Sequence, residues 1–147
     1  MFRPMRRIKQ QLSEKECKEI LKSEPRGVLG ILGDNEYPYT LPMNFFYDEA
    51  ENKIYFHCAK EGHKTDAVQK HDKVSFCVYD KGYHKDGHWS LNIRSVIVFG
   101  KITICDNHEK AINKIRELAK KHTPDTNYIE KEIQAYANKF ACIELTI

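Results

Sequence analysis

The sequence predicts a mainly β (α+β) fold: a small antiparallel barrel of six strands with helices packed at its rim. Six short stretches rich in Val, Ile, Tyr and Phe are separated by clusters of Gly, Pro, Asp and Asn. Helical faces are confined to brief segments with their own start and stop signals. The strands read as mostly antiparallel neighbours, and closing them into a barrel removes exposed edges.

Ser13-Glu14-Lys15-Glu16 is a capping box, with Leu12 and Cys17 at the staple positions. Cys17, Ile20 and Leu21 then share one face, so a helix runs from Ser13 to Ser23 and Pro25-Arg26-Gly27 ends it. Gly27 to Leu32 is a short apolar strand, and Gly33-Asp34-Asn35-Glu36 is a hairpin-type turn. Tyr37 to Tyr47 is a second strand. Proline cannot donate to a ladder, so Pro38 suits the strand start and Pro42 an edge or a bulge. Backbone groups freed at Pro42 would serve a ligand or simply meet water. Asp48 to Asn52 turns the chain into a third strand from Ile54, and Gly62 permits a tight turn into a helix through Lys70. Val74 to Tyr79 is a fourth strand, and Lys81 to His88 a polar loop. Leu91 to Asp106 reads as one long strand whose V-I-V-F core is buried on both faces, bent at Gly100. Asp106-Asn107-His108-Glu109 starts a helix to His122, Asn127 caps a last one, and Ala141 to Ile147 is a closing strand.

The 147 residues fit one domain, with 41% hydrophobic and 31% charged content, as in an ordinary soluble protein. A net charge of +3 is too small and too evenly spread to argue for nucleic acid, though it suits a small anionic ligand. The basic group Arg3, Arg6, Arg7 and Lys9 is expected to meet water. Five scattered cysteines with no C-x-x-C pair indicate neither a disulfide framework nor a zinc ribbon, and fit a reducing cytoplasm. No apolar run reaches the length of a membrane span, and the first residues lack a signal-peptide core.

Chemistry concentrates in Ile54 to Lys64. His57 and Cys58 end a strand, and Gly62, His63 and Lys64 open a helix. The first N–H groups of a helix have no internal partner and carry partial positive charge, so this start is a seat for a phosphate or a plain connection with solvated lysines. His57 could donate to a ligand, move a proton or pack. His84 and His88 have the i, i+4 spacing of a helical metal pair, but Gly87 argues against a helix, so no metal is expected. No Walker sequence, G-x-G-x-x-G or Ser/His/Asp order is present.

Several stretches together resemble the flavin-binding split-barrel superfamily that includes pyridoxamine 5′-phosphate oxidase, and more closely its 5-nitroimidazole resistance branch. They are Met5-Arg6-Arg7, Gly27-Val28-Leu29-Gly30, Tyr37 to Phe45, Phe56 to Lys64, Asp72 to Phe76 and Arg94 to Gly100. The resemblance implies a six-stranded Greek-key split barrel that forms a homodimer holding FMN between two chains. By position, Thr40, Leu41, Pro42, Met43 and Asn44 would border the flavin ring. His57, Cys58 and Ala59 would line the ring and ribityl chain, and Gly62, His63 and Lys64 would hold the phosphate. Arg94 and Ser95 would lie near the interface, facing the partner's flavin. A histidine matching His57 has a catalytic role in the nitroimidazole-resistance relatives. The oxidase's additional basic C-terminal set has no match here, and residues beyond about 105 match in pattern alone. The resemblance thus implies an FMN-dependent oxidoreductase acting on nitroimidazoles, nitroaromatics or other small electrophiles. The alternative is a flavin- or haem-binding protein without turnover.

Overall fold

The computed structural model describes residues 2–147. Its strands are β1 (Arg26–Leu32), β2 (Pro38–Asn44), β3 (Phe46–Asp48), β4 (Lys53–Ala59), β5 (Lys73–Tyr79), β6 (Tyr83–His84), β7 (Leu91–Asn92), β8 (Ser95–Ile104) and β9 (Phe140–Thr146). Its α-helices are α1 (Glu14–Ser23), α2 (His63–Lys70), α3 (His108–His122) and α4 (Thr126–Tyr136). Seven strands form one antiparallel sheet in the order β2-β1-β5-β8-β9-β4-β3.

The two edge strands of that sheet are one continuous segment. β2 and β3 are separated by Phe45 alone, so the second strand expected from the sequence bends there and crosses from one sheet edge to the other. Six chain segments therefore supply seven strands, and the sheet curls into a barrel that stays open along the outer side of β2. This is the split-barrel architecture. Both prolines lie on the edge strand, as their missing donors require. Pro42 sits in regular register opposite Val28, so it marks an edge and not a bulge.

Inward-facing residues alternate along the strands and fill the barrel. Leu29, Phe45, Ile54, Phe56, Phe76, Ile143 and Leu145 are essentially inaccessible. The Phe45 and Phe56 rings each meet Phe76 edge-on at 5.0 Å between centroids, a favoured aromatic geometry. Gly100 marks a close approach more than a bend: a side chain there would run into the Thr146 carbonyl of β9.

Three expectations need correction. The stretch from Leu91 is broken into β7 and β8, because Leu91 and Asn92 pair with Tyr83 and His84 in a separate hairpin. The V-I-V-F run is buried on one face: Val96 and Val98 point inward, while Ile97 and Phe99 remain 61% and 49% exposed. The cap of α4 is Asp125, whose carboxylate accepts from the Tyr128 N–H at 2.9 Å, and Asn127 lies inside the helix. The Ser13/Glu16 capping box of α1 and the Asn107 cap of α3 form as read.

The helix α3 is latched to the β3–β4 corner by a partly buried ionic cluster. The Lys114 amine donates to Asp48 at 2.6 Å and Glu51 at 2.8 Å, and the Tyr55 hydroxyl donates to Glu51 at 2.5 Å. Lys114 and Lys110 also lie over the Tyr55 ring. Hydrogen bonds from Lys114, then Tyr55, outweigh burial and hold the Glu51 carboxyl down to about 2. A carboxyl depressed in the folded state stabilises fully above its unfolded value and loses that contribution as pH falls through the folded one. Lys114→Met should therefore cost about 1–2 kcal/mol at neutral pH, between the exposed and buried ranges for ion pairs. Urea unfolding should show the deficit shrinking as pH is lowered through the carboxylate range, and a deficit independent of pH would refute the latch.

Candidate functional site

The start of α2 lies against β2, and two side chains span the gap. The Lys64 amine lies 3.6 Å from the Met43 sulfur, and the His63 ring stacks on Tyr39 with centroids 4.4 Å apart. Gly62 precedes the helix at φ +132°, a conformation that side chains resist, with open space where a Cβ would stand. As N-cap it offers no side chain to the first helical N–H groups, which makes this start an electropositive cradle. Among the described residues the Met43 thioether is the one polar partner of Lys64, so its charge is open to an anion. Thr65 anchors the turn by donating its hydroxyl to the Ala59 carbonyl at 3.1 Å.

His63 has a second occupation. Its Nε2 accepts from the Asp34 N–H at 3.3 Å and lies 3.7 Å from the Asp34 carboxylate. It braces the β1–β2 turn, where Asn35 and Glu36 both adopt left-handed backbone. The amides and Lys64 are therefore the freer anion donors.

His57 faces outward from β4, between the inward-facing Phe56 and Cys58. It keeps an exposed edge, and its ring meets Phe140 edge-on at 6.4 Å. Crowding around the ring, and secondarily the Lys64 charge, push the imidazole below its ordinary value, so it is neutral at pH 7. Cys58 instead points into the barrel core, where burial raises its thiol. Cys58 could touch a ligand on the outer face through its backbone alone, and the buried, protonated thiol is no nucleophile.

Beside His57 a groove of about 420 Å³ opens between α3, α4 and the sheet. It draws in Asn44 from β2 and His122 from the end of α3. The Arg26 Nε donates to Asn44 Oδ1 at 2.8 Å, which leaves the amide nitrogen of Asn44 as a donor. Burial, followed by Lys121, Arg26 and His57, lowers the His122 imidazole. Lys121 is half-buried, donates to the Phe45 carbonyl at 3.2 Å and lies 3.7 Å above the Phe45 ring. Burial pushes its amine down to about 8.

The fold thus gathers Met43, Asn44, His57 and Lys64 from the residues expected by sequence, with Thr40 and Pro42 exposed along the same strand and Leu41 partly covered. Ala59 is exposed at the end of β4. Arg94 and Ser95 lie elsewhere on this chain. β8 is separated from β2 by β1 and β5, and Arg94 is held by Asp80, with Nε–Oδ2 at 2.9 Å. Sequence reasoning missed Arg26, Lys121 and His122. The basic last turn Lys120-Lys121-His122 was a visible signal, but it reads equally as a complement to the helix dipole. Among the described residues no group of three His, Cys, Asp or Glu side chains could hold a metal ion, and no helix is long and apolar enough to cross a membrane.

An open antiparallel barrel with a glycine-led helix beside its free edge defines the split-barrel class. The family model for pyridoxamine 5′-phosphate oxidase matches residues 13–146, and the chain belongs to that family. No curated protein matches it. Among solved structures it is similar to a protein from Bacteroides thetaiotaomicron named for 5-nitroimidazole antibiotic resistance, with 18% identity over 90% of this chain and 78% of that one, TM-score 0.74. It is also similar to the flavocytochrome Anf3 from Azotobacter vinelandii, with 19% identity, 98% and 68% coverage and TM-score 0.77. A FAD-binding protein from Mesorhizobium loti matches with 21% identity, 92% and 90% coverage and TM-score 0.61. At these identities the likeness shows the shared fold.

The electrostatic layout has a direct readout. In a histidine NMR titration, the His57 ring should titrate below a solvent-exposed histidine, and Lys64→Met should move its midpoint upward without restoring it fully, since burial remains. An unmoved midpoint would separate Lys64 from His57.

Proposed function

We propose that this chain is an FMN-binding flavoprotein, acting as a homodimer, that passes electrons to small electrophiles such as nitroimidazoles and other nitroaromatics. The observation that carries the reading is the uncapped, glycine-led start of α2 with Lys64 beside the free edge of β2. The residues fit the group. The N–H groups behind Gly62 and the Lys64 ammonium suit a terminal phosphate, and the unpaired backbone of Thr40 to Asn44 offers donors and acceptors to a polar ring edge. Structural neighbours that bind FAD, or that are flavocytochromes, support flavin over other phosphorylated ligands. When bound, the flavin would supply the electrons.

The protein's own part is binding, orientation and proton handling. Lys64 and the α2 amides would fix the phosphate, while the exposed Thr40 would border the ring and the exposed Ala59 the ribityl chain. His57 would sit over the outer face of β4, its imidazole held below its ordinary value by burial and Lys64, able to donate a hydrogen bond to a substrate oxygen or to accept a proton. A second copy is supported by the uncovered apolar side of β8. Ile97, Phe99, Tyr79 and Ile93 are all about half exposed or more, and Phe2 stacks on Phe99 at 4.7 Å. Arg94 and Ser95 border that face and would reach the partner's flavin.

A second reading, flavin or haem binding without turnover, draws on two histidines, His57 and His122, lining one apolar groove. The visible spectrum of the purified protein separates the cofactors: flavin absorbs in the blue, haem gives a sharp Soret band. Turnover is tested anaerobically by reducing the yellow protein and adding nitroimidazoles and quinones. Reoxidation supports the first reading, and none by any acceptor removes it.

Lys64→Ala should weaken FMN binding by about 1–3 kcal/mol, the range for a lost charge-assisted hydrogen bond, measured by flavin fluorescence titration; unchanged affinity would reject the phosphate seat. Phe99→Asp should shift the protein to monomer in sedimentation and cut flavin affinity with it. A dimer unaffected by the change would move the interface elsewhere.

A further inference from the structure

The groove between α3 and α4 is chemically two-sided. Ile115, Leu118, Ile129 and Ile133 form its apolar floor, and the Tyr128 and Tyr136 rings form its rim. At the sheet end Asn44, His57 and His122 converge. All three side chains can donate a hydrogen bond. The Asn44 oxygen is occupied by Arg26, which leaves its amide nitrogen as the group able to donate, and an imidazole carries a ring N–H. The surrounding charges are mostly positive, from Lys64 on α2, Arg26 on β1 and Lys121 on α3, with Glu132 of α4 the one acidic residue in the lining. An apolar slot about 420 Å³ in volume closed by donors at one end falls within the usual size of small-molecule sites.

We propose that this groove binds a small aromatic carboxylate, its ring held between the aliphatic floor and the two tyrosines and its carboxylate on the Asn44, His57 and His122 donors. Charge complementarity selects this occupant. Three donors within a cationic surround match a planar pair of anionic oxygens, and a nitro group presents the same pair with less charge. A neutral lipid or an apolar peptide would leave the donors unmatched. The groove stands on its own geometry. Because it shares Asn44 and His57 with the electron-transfer site, the occupant's role as electron acceptor rests on the flavin reading.

The test uses the full chain with 4-nitrobenzoate and its methyl ester as probes, followed by calorimetry and amide NMR. The acid should bind about tenfold more tightly than the ester, the low end for one charge-assisted hydrogen bond. His122→Leu should erase that preference while leaving ester binding in place, and Tyr128→Ala should weaken both probes. Both residues are exposed, so neither change threatens folding. FMN affinity should be the same in both variants as in the parent chain, which separates a failure here from a failure of the flavin site. Equal affinity for acid and ester, or indifference to both variants, would overturn the proposal. So would a hemin titration whose Soret band depends on His122, which would assign the groove to haem. Loss of all probe binding as the protein dimerises would assign it to the second copy.

Discussion

The bend at Phe45 is the constraint on which the rest of the molecule depends. Phe45 is fully buried against Phe76, so the chain must dive inward between β2 and β3. That dive sends one strand to both edges of the same sheet. The barrel therefore curls without its two edges pairing, and the outer backbone of β2 stays unpaired. Lys121 reaches across from α3 to hold the Phe45 carbonyl and cover the ring, at the cost of desolvating its own amine. Free strand edges usually invite aggregation and are covered or blunted. Here Pro38 and Pro42 remove two donors from the edge, and α2 stands opposite it.

Fold and site share this device. The helix that supplies Lys121 also supplies His122, and it is fixed to the β3–β4 corner by Lys114, Asp48, Glu51 and Tyr55. One ionic cluster thus positions the wall of the groove, and the strand it grips is the continuation of β2 beyond Phe45. A long lever of this kind would make binding sensitive to changes far from the ligand. Lys64, Lys121 and Arg26 bring like charge to this end of the groove, a repulsion that an anionic ligand would relieve.

Much of this was legible in the sequence because it is written in short-range chemistry. The capping box at Ser13 and Glu16, the Asn107 cap, the glycine before His63 and the strand patterns of Gly27–Leu32 and Val74–Tyr79 depend on residues within a few positions of each other. What stayed hidden depends on register and distance along the chain. No local pattern says that Tyr37 to Tyr47 serves two edges, or that Ile97 and Phe99 face outward while Val96 and Val98 face inward. An all-apolar run gives no alternation to read. His57 and His122 stand 65 positions apart, and only the packing of α3 on β4 and β9 joins them. Cys58 and His57 alternate across the strand as neighbours must, which put the thiol in the core and the imidazole outside.

The central claim is that a flavin mononucleotide lies along the free edge of β2 with its phosphate on the start of α2. Amide NMR of the labelled, flavin-stripped protein titrated with FMN tests it most directly. The account predicts that the largest shifts fall on Thr40, Leu41, Met43 and Asn44 and on Gly62, His63, Lys64 and Thr65, saturating together at one equivalent per chain. Shifts confined to other strands, or none on either segment at saturating flavin, would contradict it.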